Sequence, residues 1–313
     1  MNVAEVRDHG SAPQFKARVI RTNGVDLQLI DHGSGTPLLL LHGFPDHAMV
    51  WRPLLERLSG SCRMIAPDQR GYRHSSRPDG VEAYTMDHLV ADLAGLLEAL
   101  GLPRVHVCGH DWGGVLAFAL AARRPDLIAG VVALNTASAG VLQDMIWSDP
   151  GQRAASQYIT RLRSAEADAI FCEANVDVLI ERFLGDPRQR GLLSEADIAV
   201  YRDAWTQPGV WQAMLAWYRA APFDVPAPDA TPDRAETTIR HEPINCPVLV
   251  IWGDRDTVFV PAMADALAAV CLDCSVVHLP DAGHVPQRDA PDTCAQLIAE
   301  FLTQHPIPAR QRN

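Results

Sequence analysis

Short apolar runs alternate along the chain with stretches of helical periodicity. The runs are bounded by turn residues, which is typical of strands buried inside a parallel sheet. They cover residues 38–41, 63–66, 105–108, 128–134, 248–252 and 275–279. Helices are predicted over residues 89–100, 113–124, 264–270 and 293–302. This alternation predicts an α/β fold in which helices flank a doubly wound, mostly parallel sheet.

The first element of the chain differs from the rest. Residues 15–20 and 25–30 flank Asn23-Gly24, a dipeptide suited to a tight primed turn. The chain is therefore predicted to open with an antiparallel hairpin.

The alternation stops between residues 139 and 242, where helical patterns and aromatic residues occur without a clear strand run. We interpret this stretch as a helical cap, or lid, inserted into the sheet domain. Its last part, residues 222–232, is rich in proline and is expected to be a loop. The predicted organisation is a first α/β core part at 1–138, the cap at 139–242 and a second core part at 243–313. The two core parts form one domain.

The net charge, the apolar runs and the cysteine spacing exclude several classes of partner and indicate a cellular compartment. The 313 residues carry a formal net charge of −11, which argues against nucleic acid and against an anionic membrane surface. No stretch approaches the roughly 18 apolar residues of a membrane span, and residues 1–13 lack a signal-peptide core. The lone Cys271-x-x-Cys274 motif has no second ligand pair for zinc. We expect a soluble, cytoplasmic protein without a metal site.

The motif with the clearest chemistry is Gly109-His110-Asp111-Trp112-Gly113, placed between a predicted strand and a predicted helix. It is the Gly-x-nucleophile-x-Gly elbow with Asp in place of Ser. The two glycines allow the sharp turn, and the helix N-terminus favours a negative charge at Asp111. The structural alternative is that Asp111 only caps the helix.

An aspartate at this elbow indicates a particular chemistry. Serine attack on a saturated carbon would leave an ether, which water does not readily cleave. Carboxylate attack leaves an ester, which a base-activated water can hydrolyse. Asp111 therefore indicates opening at saturated carbon, as in epoxides or alkyl halides.

A second motif, His42-Gly43-Phe44-Pro45, directly follows the predicted strand at 38–41. The backbone N–H groups of Phe44 and Trp112 are predicted to form an oxyanion hole. The Phe44-Pro45 bond is a candidate cis peptide. The alternative is that the motif makes only a tight turn.

The third and fourth motifs supply an acid and a base. Asp256 lies in Gly253-Asp-Arg-Asp256 after the strand at 248–252, and His284 lies in a loop after the strand at 275–279. The chain order is nucleophile, acid, base, which is the order expected for a fold with a nucleophile elbow of this kind. His284 would deprotonate the water and Asp256 would orient His284. Asp254 is the competing acid.

These motifs resemble those of the α/β-hydrolase superfamily and, within it, those of the epoxide hydrolases. The resemblance runs from about residue 15 to residue 302 and includes Asp68-Gln-Arg-Gly-Tyr72. It implies hydrolysis of a small apolar epoxide to a vicinal diol, with water as the second reactant and no cofactor. It is compatible with a homodimer. Haloalkane dehalogenases share part of the motifs, so the superfamily is better determined than the substrate.

The resemblance also implies two lid tyrosines that hydrogen-bond the epoxide oxygen. Tyr218, in Ala216-Trp-Tyr-Arg219, matches the second of them, and Tyr158 matches the first. Leu162-Arg163 stands where the family often has Phe-Gln, which leaves the register of Tyr158 open. A phenol can donate a proton while it stays neutral at pH 7. Each tyrosine could instead serve only packing.

Two alternative functions remain at this point. A haloalkane dehalogenase would use the Trp112 indole and a second N–H donor to hold the halide, but the second position is Phe44. A non-catalytic ligand receptor on the same fold is the other alternative. A set of aromatic residues in the predicted cap is expected to line an apolar pocket or to form its core: Trp147, Trp205, Trp211, Trp217 and Phe223.

Overall fold

The computed structural model describes residues 15–231 and 239–308. Within these ranges, eight strands form one sheet in the order β1-β2-β4-β3-β5-β6-β7-β8. They are β1 (Ala17–Thr22), β2 (Val25–Gly33), β3 (Thr36–Leu41), β4 (Cys62–Pro67), β5 (Val105–His110), β6 (Ile128–Leu134), β7 (Val248–Gly253) and β8 (Cys274–Leu279). Strands β3 to β8 pair in parallel, whereas β2 is antiparallel to both β1 and β4. The predicted α/β fold with a mostly parallel sheet is confirmed.

Helices connect the strands. They are α1 (Arg52–Leu58), α2 (Met86–Ala99), α3 (Trp112–Arg123), α4 (Ala139–Ser148), α5 (Pro150–Ala155), α6 (Gln157–Arg163), α7 (Glu166–Ile170), α8 (Val176–Gln189), α9 (Glu195–Trp205), α10 (Val210–Ala220), α11 (Ala262–Val270), α12 (Pro286–Asp289) and α13 (Pro291–Gln304). Short 3-10 helices lie at Ala48–Trp51, Val81–Tyr84 and Glu173–Asn175. The four helices predicted from the sequence are α2, α3, α11 and α13.

The sequence of β3 is an unbroken apolar run because both faces of this strand are buried. Leu38 and Leu40 belong to the hydrophobic cluster under α1 and α13, while Leu39 and Leu41 belong to the cluster with α2 and α3. All four side chains are fully buried. Because helices cover both faces of the sheet, both alternating sets of side chains must be apolar.

The predicted hairpin forms between β1 and β2. Thr22 pairs with Val25 across a two-residue turn, in which Asn23 has φ 44° and Gly24 has φ 78°. Positive φ at both turn residues is the requirement that Asn-Gly meets best. The pattern and the turn residues therefore act together to set this register.

Among the described residues, only helices lie between β6 and β7. These helices, α4 to α10, are called the helical insert below. Three tryptophans in it are almost fully buried, at Trp205, Trp211 and Trp217. The boundaries proposed for the cap stay a prediction, and residues 1–13 and 232–238 of the sequence interpretation lie outside the described ranges. No helix within 15–231 and 239–308 has the length and apolar character needed to cross a bilayer.

Candidate active site

Asp111 lies at the sharp turn between β5 and α3, with φ 51° and ψ −124°. This is a rare conformation for a residue with a side chain, and tight contacts around it hold it in place. A Cβ on Gly109 would lie 2.4 Å from the Gly113 carbonyl oxygen, and a Cβ on Gly113 would lie 2.0 Å from that of Leu41. The Thr136 hydroxyl donates to the Asp111 carbonyl at 2.7 Å. Both motif glycines are thus required by backbone packing.

The loop of residues 42–47, here called the oxyanion loop, reaches the Asp111 carboxylate. The Phe44 N–H donates to Asp111 Oδ1 at 2.8 Å, and the Phe44-Pro45 peptide is cis. A Cβ on Gly43 would lie 2.4 Å from the Asp111 Cβ, so only glycine permits this approach. His42 is buried, and its Nε2 accepts the Gln69 N–H at 3.1 Å, which links the loop to the segment after β4.

The Trp112 N–H belongs to the first residue of α3. The first N–H groups of a helix have no partner within the helix. The position of Trp112 directly after Asp111 therefore suits the second donor that the sequence predicts.

His284 lies between two carboxylates. Its Nδ1 is 2.9 Å from Asp256 Oδ2, and its Nε2 is 3.7 Å from Asp111 Oδ2. Asp256 also accepts hydrogen bonds from the Asn135 amide at 2.8 Å and from the Val258 N–H at 2.6 Å. These donors fix the carboxylate and leave Oδ2 facing the imidazole.

Asp254 has a different partner. Its Oδ1 is 2.6 Å from Nδ1 of His278, on the partly exposed side of β8. The geometry thus pairs Asp256, and not Asp254, with His284.

The charges of the three groups support one another. Burial lowers the pKa of His284, but the adjacent carboxylates of Asp256 and Asp111 outweigh it and raise the pKa to about 10. Burial raises the pKa of the Asp111 carboxyl, but His284 and the Phe44 N–H outweigh burial and hold the pKa below its usual value. The resting site therefore pairs an ionised Asp111 with a protonated His284.

Tyr218 and Tyr158 come from the helical insert. The Tyr218 ring lies 5.2 Å from the Trp112 ring and 5.1 Å from the Phe44 ring, and the Tyr158 ring lies 6.0 Å from that of Tyr218, all between centroids. Burial, together with the charge of Asp111, raises the pKa of both phenols well above 10. Both phenols are therefore neutral at pH 7, near the charge of Asp111.

Three site residues were not singled out from the sequence. Asn135, with φ 38°, directly follows β6 and bonds both Asp256 and the Gly253 carbonyl. Thr136 holds the elbow, as described above. His110 donates from Nε2 to the His284 carbonyl at 2.7 Å. The available signal was that Asn135 and Thr136 end a parallel strand on the same edge of the sheet as the elbow.

Of the aromatic residues predicted for a pocket, Trp217 and Phe223 contact the Trp112 ring, at 5.9 Å and 6.0 Å between centroids. Trp211 contacts Phe44 at 6.3 Å. Trp205 packs against Trp211 at 5.2 Å, and its indole N–H donates to the Pro45 carbonyl of the oxyanion loop at 2.9 Å. Trp147 is buried within α4. Four of the five residues therefore surround the oxyanion loop and the elbow.

The sequence and structure resemble known proteins over most of the chain. A family model for the alpha/beta hydrolase fold matches residues 36–291. Epoxide hydrolase A of Mycobacterium tuberculosis is 31% identical over 91% of this chain and 97% of its own. Haloalkane dehalogenase 2 of Mycobacterium bovis is 27% identical over 91% and 94%.

A solved structure shows the same fold. The epoxide hydrolase of Bacillus megaterium, in complex with an inhibitor, superposes with a TM-score of 0.83 at 29% identity, covering 91% of this chain and 99% of its own. The family model and the 31% identical relative both span far more than half of the chain. The chain belongs to the alpha/beta hydrolase fold family.

Proposed function

We propose that this protein is an epoxide hydrolase that works through an ester on Asp111. The observation that carries the proposal is the asymmetry of the Asp111 carboxylate. Its Oδ1 accepts the Phe44 N–H, while its Oδ2 faces His284 without a close hydrogen bond, at 3.7 Å. Oδ2 is therefore the oxygen available for attack, and Oδ1 is placed to become the carbonyl oxygen of an ester.

In the first step Asp111 Oδ2 attacks an epoxide carbon and the carbon–oxygen bond of the ring breaks. The opening oxygen takes a proton from Tyr218 or Tyr158, whose phenols are neutral beside the nucleophile. An alkoxide is a poor leaving group unless it is protonated, and general acids of this kind contribute about 10²- to 10⁴-fold. Phenols supplied by the helical insert and a carboxylate supplied by the core provide the acid and the nucleophile that this opening needs.

In the second step water attacks the ester at the Asp111 carboxyl carbon and gives one proton to His284. The bond between that carbon and Oδ2 then breaks, and the diol leaves with Oδ2 and the second proton of the water. Ester formation removes the negative charge that helps to raise the pKa of His284, so the imidazolium can pass its proton to the tyrosinate left by the first step and then act as a base. Asp256 stabilises the imidazolium that forms again. The N–H groups of Phe44 and Trp112 hold the oxyanion on Oδ1, a contribution of about 3 kcal/mol for each donor.

We further propose that the helical insert is the cap of the site and that the reaction uses no cofactor. The insert supplies both phenols and the aromatic residues around Phe44. Water and a small apolar epoxide suffice as reactants. The cytoplasmic location remains a prediction of the sequence, which leaves the oligomeric state open.

Dehalogenation is the second candidate, because the nucleophile and the base would serve it equally well. The geometry favours the epoxide for a specific reason. Two neutral phenols lie beside Asp111, and the Trp112 ring is in edge contact with the Tyr218 ring. A halide leaving group needs hydrogen-bond donors but no proton, so dehalogenation would not require the phenols as acids.

The test is a single turnover in ¹⁸O-labelled water with enzyme in excess over a styrene-oxide-type epoxide. We expect the heavy oxygen in Asp111 and the original Oδ2 in the first diol, both read by mass spectrometry. The Asp111→Ala variant should lose turnover while keeping its fold, checked by circular dichroism. A bromoalkane serves as the parallel substrate. Diol without label in Asp111 would refute the ester, and bromide release without diol would favour dehalogenation.

A further inference from the structure

The helical insert contacts three successive residues of the oxyanion loop. The Phe44 ring lies among Phe183, Trp211 and Tyr218, at 5.9, 6.3 and 5.1 Å between centroids. The Trp205 indole N–H donates to the Pro45 carbonyl at 2.9 Å. The Tyr201 hydroxyl donates to the Asp46 carboxylate. The loop that carries an oxyanion donor is thus attached to α8, α9 and α10.

The contact at Asp46 is part of a buried charged cluster. Arg288 Nη2 donates to Asp46 Oδ1 at 3.0 Å and to the Tyr201 oxygen at 2.8 Å. Each of the three residues is less than 9% exposed. Removing one partner from such a cluster leaves a buried polar group or charge without compensation, so the three positions are coupled.

The cluster joins three separate parts of the chain. Asp46 is two residues from Phe44, Tyr201 lies on α9 of the insert, and Arg288 lies on α12, four residues after His284. Side chains with fixed partners on three elements hold a loop more rigidly than a loop can hold itself. The cluster therefore connects the oxyanion donor, the insert and the segment of the base.

We propose that Tyr201 and Arg288 are positioning residues that act through Asp46 to hold the Phe44 N–H at the place where the oxyanion forms. The proposal rests on the ester mechanism above and assigns these residues a role in one of its two steps. They do not touch the substrate.

The two steps respond oppositely to the Phe44 hydrogen bond. During attack on the epoxide, the carboxylate loses its charge, and the bond to Oδ1 weakens. During hydrolysis, Oδ1 changes from an ester carbonyl to an oxyanion, and the same bond strengthens. Only interactions that strengthen towards a transition state accelerate that step. Loosening the loop should therefore slow ester hydrolysis without slowing ester formation.

The test compares Tyr201→Phe with Tyr84→Phe. Both substitutions remove one hydroxyl from a buried ring, and the Tyr84 hydroxyl donates to the Pro78 carbonyl at 2.8 Å, away from the oxyanion loop. Quenched-flow mass spectrometry of the intact protein follows ester formation and decay with a styrene-oxide-type epoxide. Complete loss of an oxyanion donor costs about 10²- to 10³-fold. For displacement of the donor we expect about tenfold slower ester decay in Tyr201→Phe.

A second variant, Arg288→Lys, keeps the positive charge but cannot bond Asp46 and Tyr201 together as the guanidinium does. It should also slow ester decay without slowing ester formation. In Tyr84→Phe, both rate constants should stay at the wild-type values. If both steps slow equally in Tyr201→Phe and Arg288→Lys, or if Tyr201→Phe matches Tyr84→Phe, the positioning role is wrong. If wild type forms no adduct on Asp111, the proposed function itself fails, which is a separate outcome.

Discussion

The two halves of the candidate site are held in different ways. On the core side, Asp111, Asp256 and His284 sit just past strands β5, β7 and β8. Backbone N–H groups bind the two carboxylates, and the His110 imidazole binds the backbone carbonyl of His284. On the insert side, Tyr158 and Tyr218 sit on helices and are held mainly by contacts with other rings. Strand ends in a hydrogen-bonded sheet cannot shift independently, whereas packed helices can slide by small amounts.

This difference indicates that the core half determines the chemistry and that the insert half can vary with the substrate. A backbone donor such as the Phe44 N–H is present whatever the side chain is. A ring contact depends on the size of each partner. We therefore expect substitutions in the core half to affect catalysis by orders of magnitude, and substitutions in the insert half to have smaller effects that depend on the substrate.

The largest effect is expected for His284→Gln. Without a base, the ester on Asp111 should form but not decay, and turnover should fall by about ten thousandfold or more. Intact-protein mass after exposure to epoxide would show the added alkyl group. A folded variant that turns over freely, or that binds substrate and forms no adduct, would contradict the assigned role of His284.

The next effect separates two carboxylates that lie two residues apart. Asp256→Asn should slow turnover by about 10²- to 10⁴-fold, because His284 loses the group that orients it. Asp254→Asn is the matched control and should change the turnover number less than twofold, since Asp254 contacts His278. Steady-state kinetics with one epoxide decides between them. A larger loss in the control would reverse the assignment.

The smallest effects are expected on the insert side. Tyr218→Phe and Tyr158→Phe should each slow ester formation by about tenfold, because the other phenol still donates, and the double variant should lose far more than either. Ester decay should be unchanged, which separates these variants from those of the core half. Equal single and double variants would indicate that only one phenol protonates the leaving oxygen.

The sequence predicts the core half well for physical reasons. The strand positions can be predicted because strands buried on both faces of the sheet have continuous apolar sequences. Asp111 can be predicted because the glycines on either side of it indicate a sharp turn with a close backbone approach. Asp256 could not be separated from Asp254, because which oxygen meets His284 depends on the path of the loop after β7. Asn135 carries no motif, and its role appears only when β6 and β7 lie side by side.

The insert half is less predictable from the sequence. Its helices and its two tyrosines are visible as patterns, but ring contacts such as Phe44 with Tyr218 join residues more than 170 positions apart. The Asp46, Tyr201 and Arg288 cluster likewise spans more than 240 positions. Such long-range side-chain packing has no local sequence signal.

The single hydrogen bond from the Phe44 N–H gives the two oxygens of one carboxylate different histories. In the proposed reaction, the oxygen facing the imidazole leaves with every product molecule and is replaced from the solvent. The oxygen bound by the backbone stays for the lifetime of the enzyme, as long as the group does not rotate. Half of the nucleophile is thus renewed at every cycle, and the other half is as permanent as the peptide chain.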